Sequence, residues 1–170
     1  MERVILVDES DRPQGLMEKM EAHEKAVLHR AFSVFVFDSE GRMLLQRRAL
    51  EKYHSGGLWT NSCCSHPREN ETTEEAAHRR LKEEMGFDCN IEHRFHFIYR
   101  AVLDQGLTEH ELDHVFTGVY DGPILPDPDE VMDYRYISIE DLDNELEADP
   151  SQFTEWFKIA LPELRNALGI

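Results

Sequence analysis

The best-defined element in this sequence is a short, heavily charged helix near the middle of the chain. Thr72 and Thr73 are residues that favour helix starts, and Gly86 is a residue that favours helix ends. Between them, Glu74–Met85 carries alanine, leucine and methionine at helical spacing, and charged residues occupy the remaining faces. A single apolar stripe must be buried against another layer of structure. The helix therefore constrains the chain to a layered fold.

Apolar and β-branched runs on both sides of this helix predict the other layer, a sheet. Ala31–Phe37 is rich in aromatic and β-branched residues, and Asp38–Gly41 reads as the hairpin turn that follows it. The predicted strands are Val4–Val7, Ala31–Phe37, Arg42–Gln46, Ile91–Leu103, Asp113–Tyr120 and Tyr134–Ile139. Further helices are predicted at Met17–His23, after a Ser138 cap, and from Ser151, with an interruption or restart at Pro162. We predict an α/β (α+β) fold, a mixed sheet sandwiched between helices, with residues 1–170 in one domain.

The net charge of the chain limits the kinds of molecule that it is expected to bind. The chain has 35 acidic and 18 basic residues and a formal net charge of −17, which disfavours binding to nucleic acid or to an anionic membrane. This balance suits either a salt-adapted source or an ordinary acidic cytosolic protein. Three cysteines make an odd set, which argues against a disulfide framework and for a reducing compartment. We expect a cytoplasmic protein, as a monomer or weak dimer.

Three histidines and two glutamates supply candidate metal ligands. His23 and His29 flank a predicted helix-to-strand junction, and Glu109 and Glu111 share one face of an extended segment. With His66 they form a nitrogen and oxygen donor set that suits Mn²⁺, Zn²⁺ or Mg²⁺. Any one of these residues alone is more often structural. Structural or surface roles are assigned to the remaining histidines, namely His54, His78, His93, His96, His110 and His114.

One of the three cysteines stands in a chemically active setting. If residues 62–66 are extended, Cys64 and His66 face one side of the strand and Cys63 faces the other. Cys63 and Cys89 are interpreted as packing residues. Cys64, with an imidazole two positions away, could serve as a metal ligand, a nucleophile or a proton donor.

Residues 65–87 resemble the Nudix box, a loop–helix–loop in which glutamates gather a divalent cation on a diphosphate. The matching positions are Glu71, Arg79, Leu81, Glu83, Glu84, Gly86 and Phe87. Two positions depart from the box, because Ser65 stands where it has Gly and Arg80 where it has Glu. Replacing a carboxylate with a cation suits Arg80 to holding phosphate, which predicts that this site does not run ordinary Nudix hydrolysis.

Nearly the whole chain resembles the type 1 isopentenyl-diphosphate:dimethylallyl-diphosphate isomerases, Nudix-fold enzymes that move a double bond instead of hydrolysing a diphosphate. The segment Thr60–Pro67, which reads Thr-Asn-Ser-Cys-Cys-Ser-His-Pro, is the most specific match. Further matching pieces lie within residues 18–23, 28–33, 47–50, 57–59, 79–86, 99–101, 109–111 and 129–132, and at Trp156.

This resemblance implies a role for each site residue. Cys64 and Glu111 would be the acid/base groups on opposite faces of the substrate, with Tyr99 as a hydroxyl partner of Glu111 and Trp156 as an aromatic wall. Glu84 and the Cys64 carbonyl would hold Mg²⁺ on the substrate diphosphate, and the His/Glu set would hold Mn²⁺ or Zn²⁺. The diphosphate itself would be clamped by four cations, Lys19, Arg48, Lys52 and Arg80.

Two alternatives stand beside this interpretation. The first is a Nudix hydrolase of a nucleoside diphosphate derivative, against which Arg80 and Cys64 both argue. The second is an inactive Nudix-fold binding module, which would be expected to have lost Cys64 or Glu111. The residues do not decide whether Cys64 or Glu111 donates the proton in the physiological direction.

Overall fold

The computed structural model of the protein describes residues 2–170, whose strands form a nine-stranded mixed sheet. The strands are β1 (Arg3–Val7), β2 (Pro13–Glu18), β3 (His29–Phe37), β4 (Met43–Arg48), β5 (Trp59–Thr60), β6 (Cys63–Ser65), β7 (Ile91–Val102), β8 (Thr108–Val119) and β9 (Val131–Ile137). The helices are α1 (Lys19–Lys25), α2 (Thr73–Met85), α3 (Ile139–Ala148) and α4 (Glu155–Leu168). Among these helices, none is long and apolar enough to cross a membrane. The predicted fold class, a mixed sheet between helices, is confirmed.

Strand β3 lies at the centre of the sheet and feeds both apolar cores. Val34 and Val36 pack toward the apolar stripe of α2, while Phe35 packs toward α3 and α4 on the opposite face. All three side chains are fully buried. The alternation follows from the two-residue repeat of a strand, which sends successive side chains to opposite faces.

The pairing of β3 differs from a simple series of hairpins. β3 runs parallel to β8 from His29, opposite Glu111, to Phe37, opposite Val119. It runs antiparallel to β6, with Ser33 opposite Cys64. The predicted hairpin at Asp38–Gly41 pairs only at its first step, after which β4 pairs with β5 and β9. Parallel pairing requires partners far apart in sequence, so local patterns did not reveal it.

Helix α2 begins and ends as its sequence predicts. Thr72 is the N-cap: its side chain accepts from the Glu75 N–H at 3.1 Å, and the Glu75 carboxylate accepts from the Thr72 N–H at 3.0 Å. This reciprocal capping box satisfies two N–H groups that the helix cannot pair internally. Thr73 is the first helical residue rather than the cap. At the other end, Gly86 adopts the left-handed conformation, with φ of 69°.

Two predicted helices lie elsewhere than expected. The segment predicted as a helix at Met17–His23 is divided between the end of β2 and the start of α1. Strand β2 was not predicted because it is largely exposed and shows no apolar alternation. The last helix does not open at Ser151, which lies in a 3₁₀ turn capped by Asp149. Thr154 caps α4 instead, and α4 continues through Pro162. Apolar burial on both sides of the proline offsets the hydrogen bond that the ring removes.

Gly86 gives the first testable prediction. A Cβ at Gly86 would lie 2.1 Å from the Leu125 carbonyl oxygen, whereas one at Gly106, which has a similar φ of 71°, would meet nothing within 4 Å. Both Gly→Ala variants carry the left-handed penalty of about 1–2 kcal/mol. Only Gly86→Ala must also displace the backbone, which should cost roughly 1–3 kcal/mol more. Urea unfolding of both variants measures the difference, and equal losses would show that the contact with Leu125 is unimportant.

Candidate active site

The sequence-predicted site residues converge on one cavity at an end of the sheet. Glu84, Glu109 and His66 line it with the residues predicted for catalysis and substrate binding, namely Cys64, Tyr99, Glu111, Lys19, Arg48, Lys52, Arg80 and Trp156. His23 and His29 are fully buried behind this lining. Residues that are up to 137 positions apart in sequence, such as Lys19 and Trp156, thus share one wall.

A compact donor cluster lies at the base of the cavity. One ligand atom from each of His23, His29, His66 and Glu111 lies within 4.8 Å of the others. Glu111 Oε2 is 3.0 Å from His29 Nε2 and 2.8 Å from His66 Nε2. Glu109 adds a carboxylate oxygen 3.7 Å from His23 Nε2. The cluster arises because the parallel register places His29 opposite Glu111 and the two-residue repeat brings Glu109 to the same face.

The hydrogen bonds around these imidazoles fit a metal ion. His23 Nδ1 is 2.7 Å from the Lys19 carbonyl oxygen, and His29 Nδ1 is 2.9 Å from the Val27 carbonyl oxygen. A carbonyl only accepts, so each Nδ1 carries the proton and a neutral ring leaves Nε2 as a lone pair. His23 Nε2 then has no partner, and the His29 lone pair faces a carboxylate. The three Nε2 atoms and Glu111 could hold a divalent cation, which would satisfy both groups.

Burial and charge shift the protonation of the cluster. Burial lowers the pKa of His66 to about 4, although its contact with Glu111 opposes this. Burial also acts to raise the pKa of Glu111, but the contacts with His29 and His66 outweigh it and hold that pKa well below its usual range. Burial and then the charge on Glu111 raise the pKa of Glu109. Burial acts to lower the pKa of His23, but its contacts with Glu109 and Glu111 outweigh it and raise that pKa, so a metal ion that binds this imidazole would displace a proton from it.

The thiol of Cys64 is held from two sides. The Trp156 Nε1–H donates to its Sγ at 3.1 Å, and the thiol lies 3.7 Å from the Asn61 side-chain oxygen, which accepts. Burial first, and then the charge on Glu84, raise the pKa of Cys64 well above its usual range. The group is therefore a protonated thiol at neutral pH. Cys63 faces the other side of β6, where its Sγ lies 3.4 Å from Glu84, so it is a weak donor as well as a packing residue.

Four basic side chains line another part of the cavity, and three of them lie beside an acidic partner. Lys19 pairs with Glu2 at 2.9 Å, Lys52 pairs with Glu130, and Arg80 pairs with Glu84 at 3.1 Å. The Arg80–Glu84 ion pair, between residues one helical turn apart, thus lines the cavity instead of a solvated helix face. The Nε atoms of Arg80 and Arg48 are buried and have no hydrogen-bond partner among the described residues. Unpaired guanidinium N–H groups are suited to an anionic oxygen ligand.

Sequence reasoning missed part of the lining. His54, assigned a structural role, is 3 % exposed and packs edge-on against Trp156, with 5.5 Å between ring centroids. Burial and the charge on Arg48 lower the pKa of His54 to about 2. Tyr53, Glu2 and Glu130 also line the cavity. Tyr53 and His54 lie in an irregular loop between β4 and β5, where side chains follow no helix or strand period. Apart from their position next to Lys52, the sequence therefore gave no indication that they face the cavity.

Comparison with known proteins identifies the family. Residues 27–157 match the NUDIX domain. The isopentenyl-diphosphate Delta-isomerase of Pectobacterium atrosepticum is 53% identical over 161 residues, covering 95% of this chain and 90% of the relative. The enzyme of that name from Burkholderia multivorans is 53% identical over 156 residues, covering 92% and 89%. The chain belongs to the isopentenyl-diphosphate Delta-isomerase family of NUDIX proteins. The resemblance carried by Thr60–Pro67 and the matching pieces is confirmed.

Solved structures support the fold of this family member. A Deinococcus radiodurans protein superposes with a TM-score of 0.77 at 18% identity, covering 95% of this chain and 98% of that protein. The MutT protein of Methanosarcina mazei superposes with a TM-score of 0.66 at 16% identity, covering 82% and 94%. At these identities the likeness concerns the fold alone, because one fold hosts many chemistries.

The donor cluster predicts a metal-dependent stability. Adding Mn²⁺ to chelator-treated protein should raise the thermal midpoint, because an ion bound only by the native state at 100 times its Kd stabilises by about 2.7 kcal/mol. Differential scanning calorimetry measures the shift. His66→Ala should abolish most of it, whereas His78→Ala, which removes a partly exposed imidazole paired with Asp88, should leave it intact. An equal shift in the two variants would place the ion elsewhere.

Proposed function

We propose that the protein interconverts isopentenyl diphosphate and dimethylallyl diphosphate by adding a proton at one carbon and removing one from another. Family membership supports this reaction. The observation that carries it for this chain is the composition of one cavity. A protonated thiol, Cys64, and a carboxylate, Glu111, line the same space as Lys19, Arg48, Lys52 and Arg80, so proton-transfer groups and diphosphate-binding groups face a single substrate.

The reaction requires a dry pocket with an acid and a base. An alkene is a poor base, so its protonation passes through a species close to a tertiary carbocation that water would trap. Trp156, 3 % exposed, closes one wall, Glu111 is buried, and Cys64 is half-buried at the cavity surface. Each positioned proton-transfer group typically contributes about 10²–10⁴ in rate. One face of the Trp156 ring contacts the Arg48 guanidinium, 5.0 Å from the ring centroid, which fixes the orientation of this wall.

The two proton-transfer groups come from strands on either side of β3. Cys64 on β6 pairs opposite Ser33, and Glu111 on β8 pairs opposite His29, so their backbones are separated by two strand spacings of about 4.8 Å across the sheet and by the step from His29 to Ser33 along β3. This separation leaves room for substrate carbons between the side chains. Tyr99 donates its hydroxyl hydrogen to Glu111, and the same oxygen lies 3.1 Å from Glu109. The hydroxyl therefore connects the two carboxylates and could pass a proton between them.

The cationic part of the cavity would bind and orient the substrate diphosphate. Arg80 and Arg48 each offer an unpaired Nε–H, and Lys19 and Lys52 can exchange their acidic partners for phosphate oxygens. Because this contact is remote from the reacting carbons, it supplies orientation rather than chemistry. Mg²⁺ held by Glu84 and the Cys64 carbonyl would neutralise diphosphate charge, and Mn²⁺ or Zn²⁺ in the His/Glu cluster would hold Glu109 and Glu111 in place. The predicted cytoplasmic location and the predicted monomer or weak dimer stay predictions.

Substitution of the two acid/base candidates tests the proposal. Cys64→Ala and Glu111→Gln should each lower turnover by at least about 10²-fold, because each removes one proton-transfer group. The assay converts isopentenyl diphosphate with Mg²⁺ and separates dimethylallyl diphosphate from released phosphate. Cys63→Ala is the matched control and should keep most activity, because Cys63 faces α2. Equal loss in Cys63→Ala and Cys64→Ala would refute the assignment, and released phosphate would favour the hydrolase alternative.

Arg80 allows a separate test of diphosphate binding. Arg80→Gln removes a charge-assisted contact of about 1.5–3 kcal/mol, so KM for isopentenyl diphosphate should rise at least about tenfold. Turnover at saturating substrate should persist, because Cys64 and Glu111 remain. Arg79→Gln is the neighbouring control, since Arg79 pairs with Glu71 at 2.7 Å and does not line the cavity. An unchanged KM in Arg80→Gln would limit Arg80 to its ion pair with Glu84.

A further inference from the structure

A second group of imidazoles lies on the opposite face of β8 from the catalytic carboxylates. Glu109 and Glu111 point toward the cavity, and the two-residue repeat sends His114 to the other face. There His114 Nδ1 is 2.9 Å from His93 Nε2, and the His96 ring centroid is 5.2 Å from that of His114. One nitrogen from each of the three rings lies within 4.8 Å of the others. None of these residues lines the catalytic cavity.

A β-bulge in β7 creates this grouping. In a regular strand, residues three apart point to opposite faces. The register shifts between His93, opposite Phe116, and Phe95, opposite Val115, so Arg94 is the extra residue. The insertion returns His96, opposite His114, to the face that His93 occupies. Three imidazoles therefore share one face because of a single inserted residue.

A partly buried contact with a carboxylate holds the central imidazole. The Asp11 carboxylate lies 2.8 Å from His114 Nε2 and also accepts from Arg30 Nε at 2.7 Å. An acceptor at Nε2 keeps the proton there, so the Nδ1 lone pair of His114 points at the other two rings. Burial also lowers the pKa of His114, which keeps the ring neutral. A carboxylate bonded to the outer nitrogen of a histidine is the usual support of a metal-bound imidazole.

We propose that His93, His96 and His114 form a second metal site, which takes a late first-row divalent ion such as Zn²⁺. Three imidazole nitrogens match the preference of Zn²⁺ for nitrogen ligands, and the exposure of His93 and His96 leaves a coordination position for water. Binding replaces the proton that the His93 and His114 rings share in the metal-free chain. The ion connects the β7–β8 edge, through His114 and Asp11, to the turn between β1 and β2.

The number of bound Zn²⁺ ions tests the site. Equilibrium competition with a chromophoric chelator at neutral pH should give one Zn²⁺ more per chain for the wild type than for the double variant His93→Gln/His96→Gln. Both substituted side chains are exposed, so the variant should fold. The comparison does not depend on occupancy of the His/Glu cluster, which both proteins retain. His78→Gln is the control, because His78 also pairs with a carboxylate, Asp88 at 2.6 Å, and should keep the wild-type number.

Asp11→Asn tests the support of His114. Asp11 has φ of 64°, a conformation that asparagine tolerates, so the turn should persist. Loss of the charge behind His114 should weaken the extra Zn²⁺ at least about tenfold. An equal number of ions in wild type and double variant would overturn the site, and unchanged affinity in Asp11→Asn would overturn the role of Asp11. Isomerase activity should be unaltered in the double variant, so this outcome is separate from the proposed reaction.

Discussion

The register of β3 against its two neighbours is the constraint on which the rest of the site depends. A shift of one residue in the parallel β3–β8 pairing would turn Glu111 toward α2 and bring Leu112 beside the histidines. Strand β6 is too short to set its own register. Ser62 does this instead, because its hydroxyl accepts from the Val36 N–H and donates to the Leu44 carbonyl, both at 2.8 Å. These two buried bonds hold Cys64 on the face of the sheet that carries Glu111.

Three of the four cations that line the cavity, Lys19, Lys52 and Arg80, are paired with carboxylates of the chain itself. A chain of net charge −17 repels a diphosphate at long range, so recognition must come from local cations whose field the cavity walls concentrate. Glu130 lies beside both Lys52 and Arg80, at 3.5 Å from the latter. Glu130 thus supplies a counter-charge for both cations, because a buried cation without a counter-charge destabilises the fold. A diphosphate that replaced Glu130 would exchange one set of charge-assisted bonds for another, whereas a neutral ligand would leave Lys52 and Arg80 without a counter-charge.

Sequence patterns predicted the elements that depend on contacts between residues close together in the sequence, and missed those that depend on distant contacts. The helix α2 followed from its cap and from Gly86, and the shared face of Glu109 and Glu111 followed from the two-residue repeat. Strand β2 was missed because it buries little apolar surface, and the start of α4 was misplaced because Asp149 caps its own short turn. The position of His54 depends on a loop folding over the cavity, and the β7 bulge depends on pairing with β8. Neither feature could be predicted, because neither produces a helix or strand periodicity in the sequence.

The replacement of a box glutamate by Arg80 explains why a Nudix helix can serve a reaction without hydrolysis. Both oxygens of Glu84 are already engaged, with Gln46 at 3.1 Å on one and with Cys63 and Arg80 on the other. The guanidinium therefore stands where a further carboxylate would have recruited a cation to activate water. In the proposed assignment, Glu84 would exchange these contacts for a cation on the diphosphate, and Arg80 would bind the diphosphate itself. With a guanidinium in place of that box carboxylate, the helix would favour a diphosphate that is held intact while protons move elsewhere on the substrate.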